Sequence, residues 1–474
     1  MVDEQTPKTE PQEPLNGSLR PLLEDLQADA AFTRLVQGDS QPAADTDTSL
    51  MVQAPQGIRP ALAAAAAGRA PVVLVVPSER DAQEMTGAIR SWYEDDPGNV
   101  ALLRSWETLP HERLSPRADT VASRMAVFRR LAHPVRDDPD FGPIRILVMP
   151  VRSLLQPVVK GLQDVEPLVF LRGQELPLDQ AVEALVRNAY TRVDLVMERG
   201  QFAVRGGILD VFVPTMAHPV RIEFFGDEVD TIRSFHASDQ RTYGPDLDRI
   251  WAPPCRELQL TEQVRARARS LIGSIPNADD MLESIAQAIP VEGMESLLPA
   301  LVDDLVPVGS MLPEGALILL SEPQLLARSA LDLVKTANEF LAASWHVAAS
   351  GQGSGAPISF DRASFLDYDE VISSLEYRKG EVWKLTDLSV DPDQDGAERL
   401  DALAPDQYRG DEDRAASGIA SLLERGDRVV VTAPAQGTLS RLRRAVQTTG
   451  VVGVEYHRSL AVDGFVDSPP IWPC

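Results

Sequence analysis

The chain has 474 residues, 71 acidic against 45 basic side chains and a net charge of -26, with 44% hydrophobic but only 5% aromatic residues. At roughly 100 to 200 residues per domain the length implies about three domains. The acidic balance argues against an autonomous nucleic-acid binder, because neutralising phosphates needs clustered Lys and Arg, although one domain can still carry a basic face.

Cys255 and Cys474 are the only cysteines and stand 219 residues apart, the second at the last residue, which excludes a disulfide framework and a thiolate metal site. No apolar run reaches the roughly 18 residues of a membrane span. The N-terminus is acidic where a signal peptide is basic, so a cytoplasmic protein with no membrane partner is expected. The five lysines are Lys8, Lys160, Lys335, Lys379 and Lys384, and none follows a glycine. The phosphate loop G-x-x-x-x-G-K-[ST] therefore does not occur, and no cofactor is expected in this chain.

In chain order, residues 1–17 are proline-rich, charged and nearly free of apolar side chains, which predicts a disordered tail. A second polar stretch, 38–49, precedes an alanine-rich helix over 58–67 that Gly68 is expected to end as a C-cap. Pro71 to Pro77 (PVVLVVP) is apolar at every position and predicts a strand buried on both faces, with Ser78 capping the next helix. Ile146 to Met149 and Ala316 to Leu320 read as further buried strands. Between them, Gln201 to Val213 and Val220 to Phe235 alternate with period two, which predicts antiparallel strands with one solvated face. Val220, Ile222 and Phe224 face one way there, Arg221 and Glu223 the other. Residues 350–360 (SGQGSGAPISF) read as a linker and 391–413 as an acidic loop or loose helix. Arg428 to Thr432 then forms another buried strand leading into a helix around Leu439 to Val446.

The six histidines show no H-x-H, H-x-x-x-H or H-E-x-x-H spacing, so no metal site is expected. No G-x-S-x-G elbow occurs. Phe224 to Glu228 (FFGDE) imitates the magnesium-holding end of a nucleotide-hydrolase strand, but Gly226-Asp227 is better explained as a hairpin turn. Arg192, Arg205 and Arg221 lie near Tyr190, Phe202, Phe212 and Phe224, the residue types that make protein-interface hot spots. On composition alone, a solvated strand face over core aromatics explains the same set.

The motifs themselves go further. YTR at 190–192, GQFAVRGGILDVFVP at 200–214, HPVRIEFFGDEVDTIRSF at 218–235 and SDQRT at 238–242 resemble the UvrB-homology module of bacterial transcription-repair coupling factors, the Mfd family. SWETLPHERLSPRAD at 105–119, RMAVFRRL at 124–131 and VMPVRSLLQP at 148–157 resemble the first domain of that family, in register over about residues 65 to 255.

The resemblance implies a multi-domain α/β chain. A UvrB-like α/β domain is split by an inserted α+β domain with an antiparallel sheet that binds UvrA, and a further small α/β domain comes after it. On this reading 18–150 and 244–345 are the two parts of the split domain, 151–243 is the insert and 346–360 a linker. Residues 361–474 are then a third α/β domain whose end, after Val454, reads as truncated, altered or a fragment boundary. The implied UvrA-contacting residues are Arg192, Arg205, Phe212, Arg221 and Glu223. One departure is Ala203, where UvrB carries an arginine.

UvrB also has a phosphate loop and an aromatic DNA-clamping hairpin, and neither is present here. The family's RNA-polymerase-binding domain and its ATP- and magnesium-dependent double-stranded DNA translocase lie outside this match. RNA polymerase and DNA would thus be partners only of the longer protein, and the chain itself is expected not to be an enzyme. In the family the C-terminal domain covers the UvrA surface at rest, so this chain is expected to bind UvrA without ATP or DNA. The alternatives are a UvrB-like damaged-DNA-binding ATPase and an unrelated α/β enzyme carrying a β-rich insert.

Overall fold

The computed structural model describes residues 18–40, 49–93, 97–109, 111–136, 138, 141–349, 364–377, 381–391, 397–406, 408, 410–449, 453–459 and 466–467. Among these residues the chain builds a parallel seven-stranded sheet. Its spatial order is Glu398–Arg399, Ser49–Gln53, Val382–Thr386, Leu317–Ser321, Val72–Val76, Ile146–Pro150 and Val100–Leu102. The Val72–Val76 strand shows why its sequence does not alternate. Val72, Leu74 and Val76 enter one core with Leu317, Leu319 and Trp383, while Val73 and Val75 enter a second core with Ile318, Leu320 and Val382. Each of these aliphatic side chains contributes about 1.5–3 kcal/mol through burial, so both faces select against polar residues.

Local signals set the adjoining helices. Ser78 caps the Glu79–Trp92 helix: its hydroxyl accepts the Asp81 N–H at 3.2 Å and the Asp81 carboxylate accepts the Ser78 N–H at 3.1 Å. The alanine-rich helix spans Arg59–Ala66 and ends through right-handed Ala67. Gly68 donates its N–H to the Ala65 carbonyl at 3.1 Å and takes no left-handed conformation, so it is a turn residue and not the expected C-cap.

Two stretches expected elsewhere complete this first layer. The Val382–Thr386 strand, read from sequence as part of a separate third domain over 361–474, pairs in parallel with both Ser49–Gln53 and Leu317–Ser321. It does so because Trp383 and Leu385 fill one core and Val382 the other. Residues Val151–Leu155 and Val158–Val159, read as part of the insert over 151–243, pack instead in the second core. Val158–Val159 also pairs with Leu305–Val306.

The antiparallel region begins at Leu168–Leu171, whose partner is Arg249–Ala252. The unit C-terminal to the central sheet is smaller than expected: helices Glu412–Glu424 and Gln436–Thr448 pack on the parallel pair Val430–Ala433 and Glu455–Arg458. Glu455–Arg458 forms a strand although the sequence beyond Val454 does not read as continuing this domain. The tail over 1–17 and the Gly/Ser stretch over 350–360 lie outside the described residues, and 346–349 belong to the end of the Pro323–Ala349 helix.

A block of short helices between 262 and 301 packs around Leu258, Leu282, Ile285, Met294 and Leu297, with Trp106 inserted from the segment 103–109. Buried polar groups hold this junction. The Arg124 guanidinium and the Glu257 carboxylate are 0% and 1% exposed and 2.6 Å apart, and Trp106 Nε1 donates to the same carboxylate oxygen at 2.9 Å.

Close by, Ser115 Oγ donates to Glu295 at 2.5 Å, and Arg256 lies 3.4 Å from that carboxyl. Burial still dominates and pushes Glu295 up from 4.5 to about 7, against the opposing pull of Arg256 and Ser115. The folded chain therefore holds this proton more tightly than the unfolded chain. Its contribution to stability is fully present below 4.5 and is lost as pH rises toward about 7. Thermal melts of a Glu295→Gln variant should accordingly lack the loss of stability that the wild type shows between those pH values; parallel curves for the two proteins would contradict this assignment.

Candidate protein-binding surface

The six-stranded sheet runs in the order Thr242–Tyr243, Glu228–Phe235, Val220–Phe225, Ile208–Val211, Gln201–Arg205 and Thr191–Arg192. All pairs are antiparallel except the last, which is parallel. Period-two alternation sorts its side chains. Phe202, Leu209, Val211, Val220, Ile222 and Ile232 form a core with Leu185 of the Leu178–Arg187 helix and with buried Tyr190. The Tyr190 hydroxyl donates to the Pro253 carbonyl at 2.9 Å, and its pKa is pushed well up by burial. The hairpin expected at Gly226-Asp227 is present: Val220–Phe225 pairs with Glu228–Phe235 across it, and Gly226 adopts φ +64, where a side chain would be strained.

The opposite face carries the arginines. One cross-strand row is Ala203, Asp210, Arg221 and Arg233; the next is Arg205, Ile208, Glu223 and Thr231. Arg205, Arg221 and Glu223 thus share one face, as their spacing predicts, and Phe212 joins them beneath a covering loop. Arg192 pairs with Phe202, whose side chain enters the core, so its register position belongs to the other side, at the sheet edge.

Their surroundings differ. Arg221 makes a two-pronged contact with Asp210 at 2.7 and 2.8 Å, donates to the Gln240 carbonyl at 3.3 Å and lies over the Phe235 ring at 5.0 Å. Asp210 is only 2% exposed, and its hydrogen bonds, with the Glu223 charge adding to them, raise the Arg221 pKa. Arg221 is an internal brace with one partly open edge. Arg205 is exposed and, among the described residues, donates only to the Asp194 carbonyl, at 2.9 Å. Phe212 is 7% exposed, in a small core with Val196, Ala203 and Phe235.

Sequence reading missed the segment that covers this core. Residues 193–199 run across the arginine face, bury Val196, expose Leu195 and Met197, and place Arg199 over the Phe212 ring at 5.2 Å. The only local signal is the apolar spacing of Val193, Leu195 and Met197.

The carboxyl end of the parallel sheet is the other place where a ligand is expected in such a fold. Arg59, 1% exposed, fills it. Its guanidinium donates to the Ala54 carbonyl at 2.9 Å, Ser321 Oγ at 2.8 Å and Asp387 at 2.8 Å, and also pairs with Glu322. The remaining cleft, bordered by Pro60, Met85, Glu84 and Leu325, measures about 120 Å³. Ligand pockets usually measure about 300–1,000 Å³. Among the described residues no group of three or more His, Cys, Asp or Glu is placed to hold a metal ion. No helix among them is long and apolar enough to cross a membrane.

Residues 168–257 match the family described as the UvrB interaction domain, and they bracket the six-stranded sheet and its flanking pair. The chain is 41% identical over 421 residues, 85% of its own length, to the transcription-repair-coupling factor of Mycobacterium tuberculosis. It is thus similar to a transcription-repair-coupling factor over most of its length. The protein of that name from Myxococcus xanthus is 32% identical over 281 residues, and that from Escherichia coli 29% over 254 residues, 54% and 52% of this chain. The likeness thus extends well beyond residues 65 to 255, where the recognisable motifs lie. The chain spans 33% of the Mycobacterium tuberculosis protein and 22% and 21% of the other two.

Proposed function

We propose that this chain is the recruitment part of a transcription-repair-coupling factor. The arginine face of its antiparallel sheet receives UvrA and so brings excision repair to RNA polymerase stalled at a lesion. The longer protein would displace the polymerase by ATP-driven movement on double-stranded DNA, with RNA polymerase, DNA, ATP and magnesium engaged by its other domains. In this reading the antiparallel sheet is a domain inserted into a UvrB-like α/β domain. That agrees with its place in the chain between the Ile146–Pro150 and Leu317–Ser321 strands of one sheet.

The observation that carries the reading is the coincidence of the UvrB interaction family with a rigid sheet face bearing Arg205, Arg221 and Glu223. Charge-assisted contacts from such arginines are worth about 1.5–3 kcal/mol each.

The rival, a UvrB-like ATPase, needs a phosphate site at the end of the parallel sheet. The absence of any Gly-Lys pair speaks against it, as does the occupation of that end by Arg59. The chain mixed with UvrA should co-elute on gel filtration, and an Arg205→Glu variant should not. Separate elution of the wild type, or undiminished co-elution of the variant, would sink the proposal; DNA-stimulated ATP hydrolysis by the chain would favour the rival.

A further inference from the structure

Residues 193–199 connect the short edge strand Thr191–Arg192 to Gln201–Arg205, yet they do not behave as a free loop. Val196 is fully buried against Ala203, Phe212 and Phe235. Gln201 Oε1 accepts the N–H groups of Met197 at 2.9 Å and Glu198 at 3.0 Å. Gln240 Nε2 donates to the Val196 carbonyl at 3.2 Å, and Arg205 to the Asp194 carbonyl at 2.9 Å. Every residue adjoining Leu195 and Met197 is thus tied to the sheet, whereas these two side chains are 44% and 48% exposed. Apolar side chains held out to solvent on a fixed backbone lose little conformational freedom on binding, which is what a contact anchor requires.

Charge surrounds them in a matching way. Arg199 lies over the Phe212 ring and Arg205 over the loop backbone. Neither has a carboxylate partner among the described residues, in a chain of net charge -26. Arg221 and Arg233 are already satisfied by Asp210 and Asp246. The two open cations therefore flank Leu195 and Met197, the arrangement of an interface with an apolar centre and a charged rim.

We propose that Leu195 and Met197 are the apolar centre of the partner surface. Phe212, buried beneath, is then a positioning residue that holds the 193–199 loop in place and does not itself touch the partner. The partner would present an apolar hollow rimmed by carboxylates. This inference rests on the reading that the sheet face receives UvrA, and it assigns the contacts within that face.

The test uses the full chain and UvrA in calorimetric titrations. Leu195→Asp combined with Met197→Asp should weaken binding about tenfold or more, with an unchanged melting temperature because both side chains are exposed. Phe212→Leu refills the small core and should keep nearly full binding, whereas Phe212→Ala should weaken it. Adding Phe212→Ala to the Leu195/Met197 double variant should cost no more. Undiminished binding by the double variant, while Arg205→Glu still abolishes it, would overturn this inference and leave the parent reading intact. Weak binding by Phe212→Leu in a normally melting protein would make Phe212 a direct contact and overturn its positioning role. Failure of the wild-type chain to bind would overturn both readings together.

Discussion

Replacing Glu257 with alanine should destabilise the chain by about 3–5 kcal/mol, because it strips the buried Arg124 guanidinium of its carboxylate. Arg124 is 0% exposed, and its remaining bond runs from Nη1 to the Arg104 carbonyl at 2.5 Å, so no water can take the place of the lost charge. Trp106 Nε1 loses its acceptor in the same step. The pair is costly to break without being strongly stabilising in itself, since both ions were taken out of water to form it. An Arg124→Met, Glu257→Leu double variant should therefore lose much less than the sum of the two single variants. Urea unfolding followed by tryptophan fluorescence measures the difference; additive single effects would show that the two groups do not interact. The consequence reaches the proposed surface, because Glu257 lies just beyond the Arg249–Ala252 strand and fixes the chain leaving the antiparallel region to the loop around Trp106.

The second large effect belongs to Arg59. Its fork spans the carboxyl ends of three neighbouring strands: Ala54 follows Ser49–Gln53, Ser321 ends Leu317–Ser321 and Asp387 follows Val382–Thr386. Arg59→Leu should cost about 2–4 kcal/mol, less than the fully buried pair because one of its carboxylate partners, Asp387, is half exposed. Lysine at this position should recover only part of the loss, since a single ammonium cannot reproduce the planar fork. The strand most affected is Val382–Thr386, because the Asp387 carboxylate that follows it loses its guanidinium partner, leaving the backbone ladder, the core side chains, the Asp387 N–H bond to Glu322 and the Lys384–Glu376 pair to hold it. Limited proteolysis should therefore cut the Arg59→Leu variant first near 381–391; unchanged cleavage together with an unchanged unfolding midpoint would contradict this role.

Local patterns make part of this architecture legible. The all-apolar run at 72–76 can only be a strand with a core on each side, and Val220 to Phe225 alternates strictly enough to place Arg221 and Glu223 together. Gly226 marks its hairpin because few other residues accept a positive φ there. Long-range pairing is not legible. Nothing local in VWKLT at 382–386 says that it enters a sheet begun more than 300 residues earlier, so its sequence reads as part of the next domain. Val151 to Val159, read from sequence with the antiparallel region, packs on the parallel sheet for the same reason: its apolar pattern suits either neighbour, and only its contacts decide.

In the candidate surface, the motif locates the strands and Arg205. It cannot show that Asp210, one strand away from Arg221, engages that guanidinium, or that Val196 folds back over Phe212. Both depend on cross-strand register, which alternation alone does not fix.

The most direct test of the central claim is a competition. A preformed UvrA–UvrB complex is titrated with this chain, without ATP or DNA, and release of labelled UvrB is followed. The account predicts saturable displacement of UvrB by the wild-type chain and none by Arg205→Glu, because both proteins would use the same UvrA surface. Binding of the chain to UvrA without displacing UvrB, or no binding at all, would contradict it.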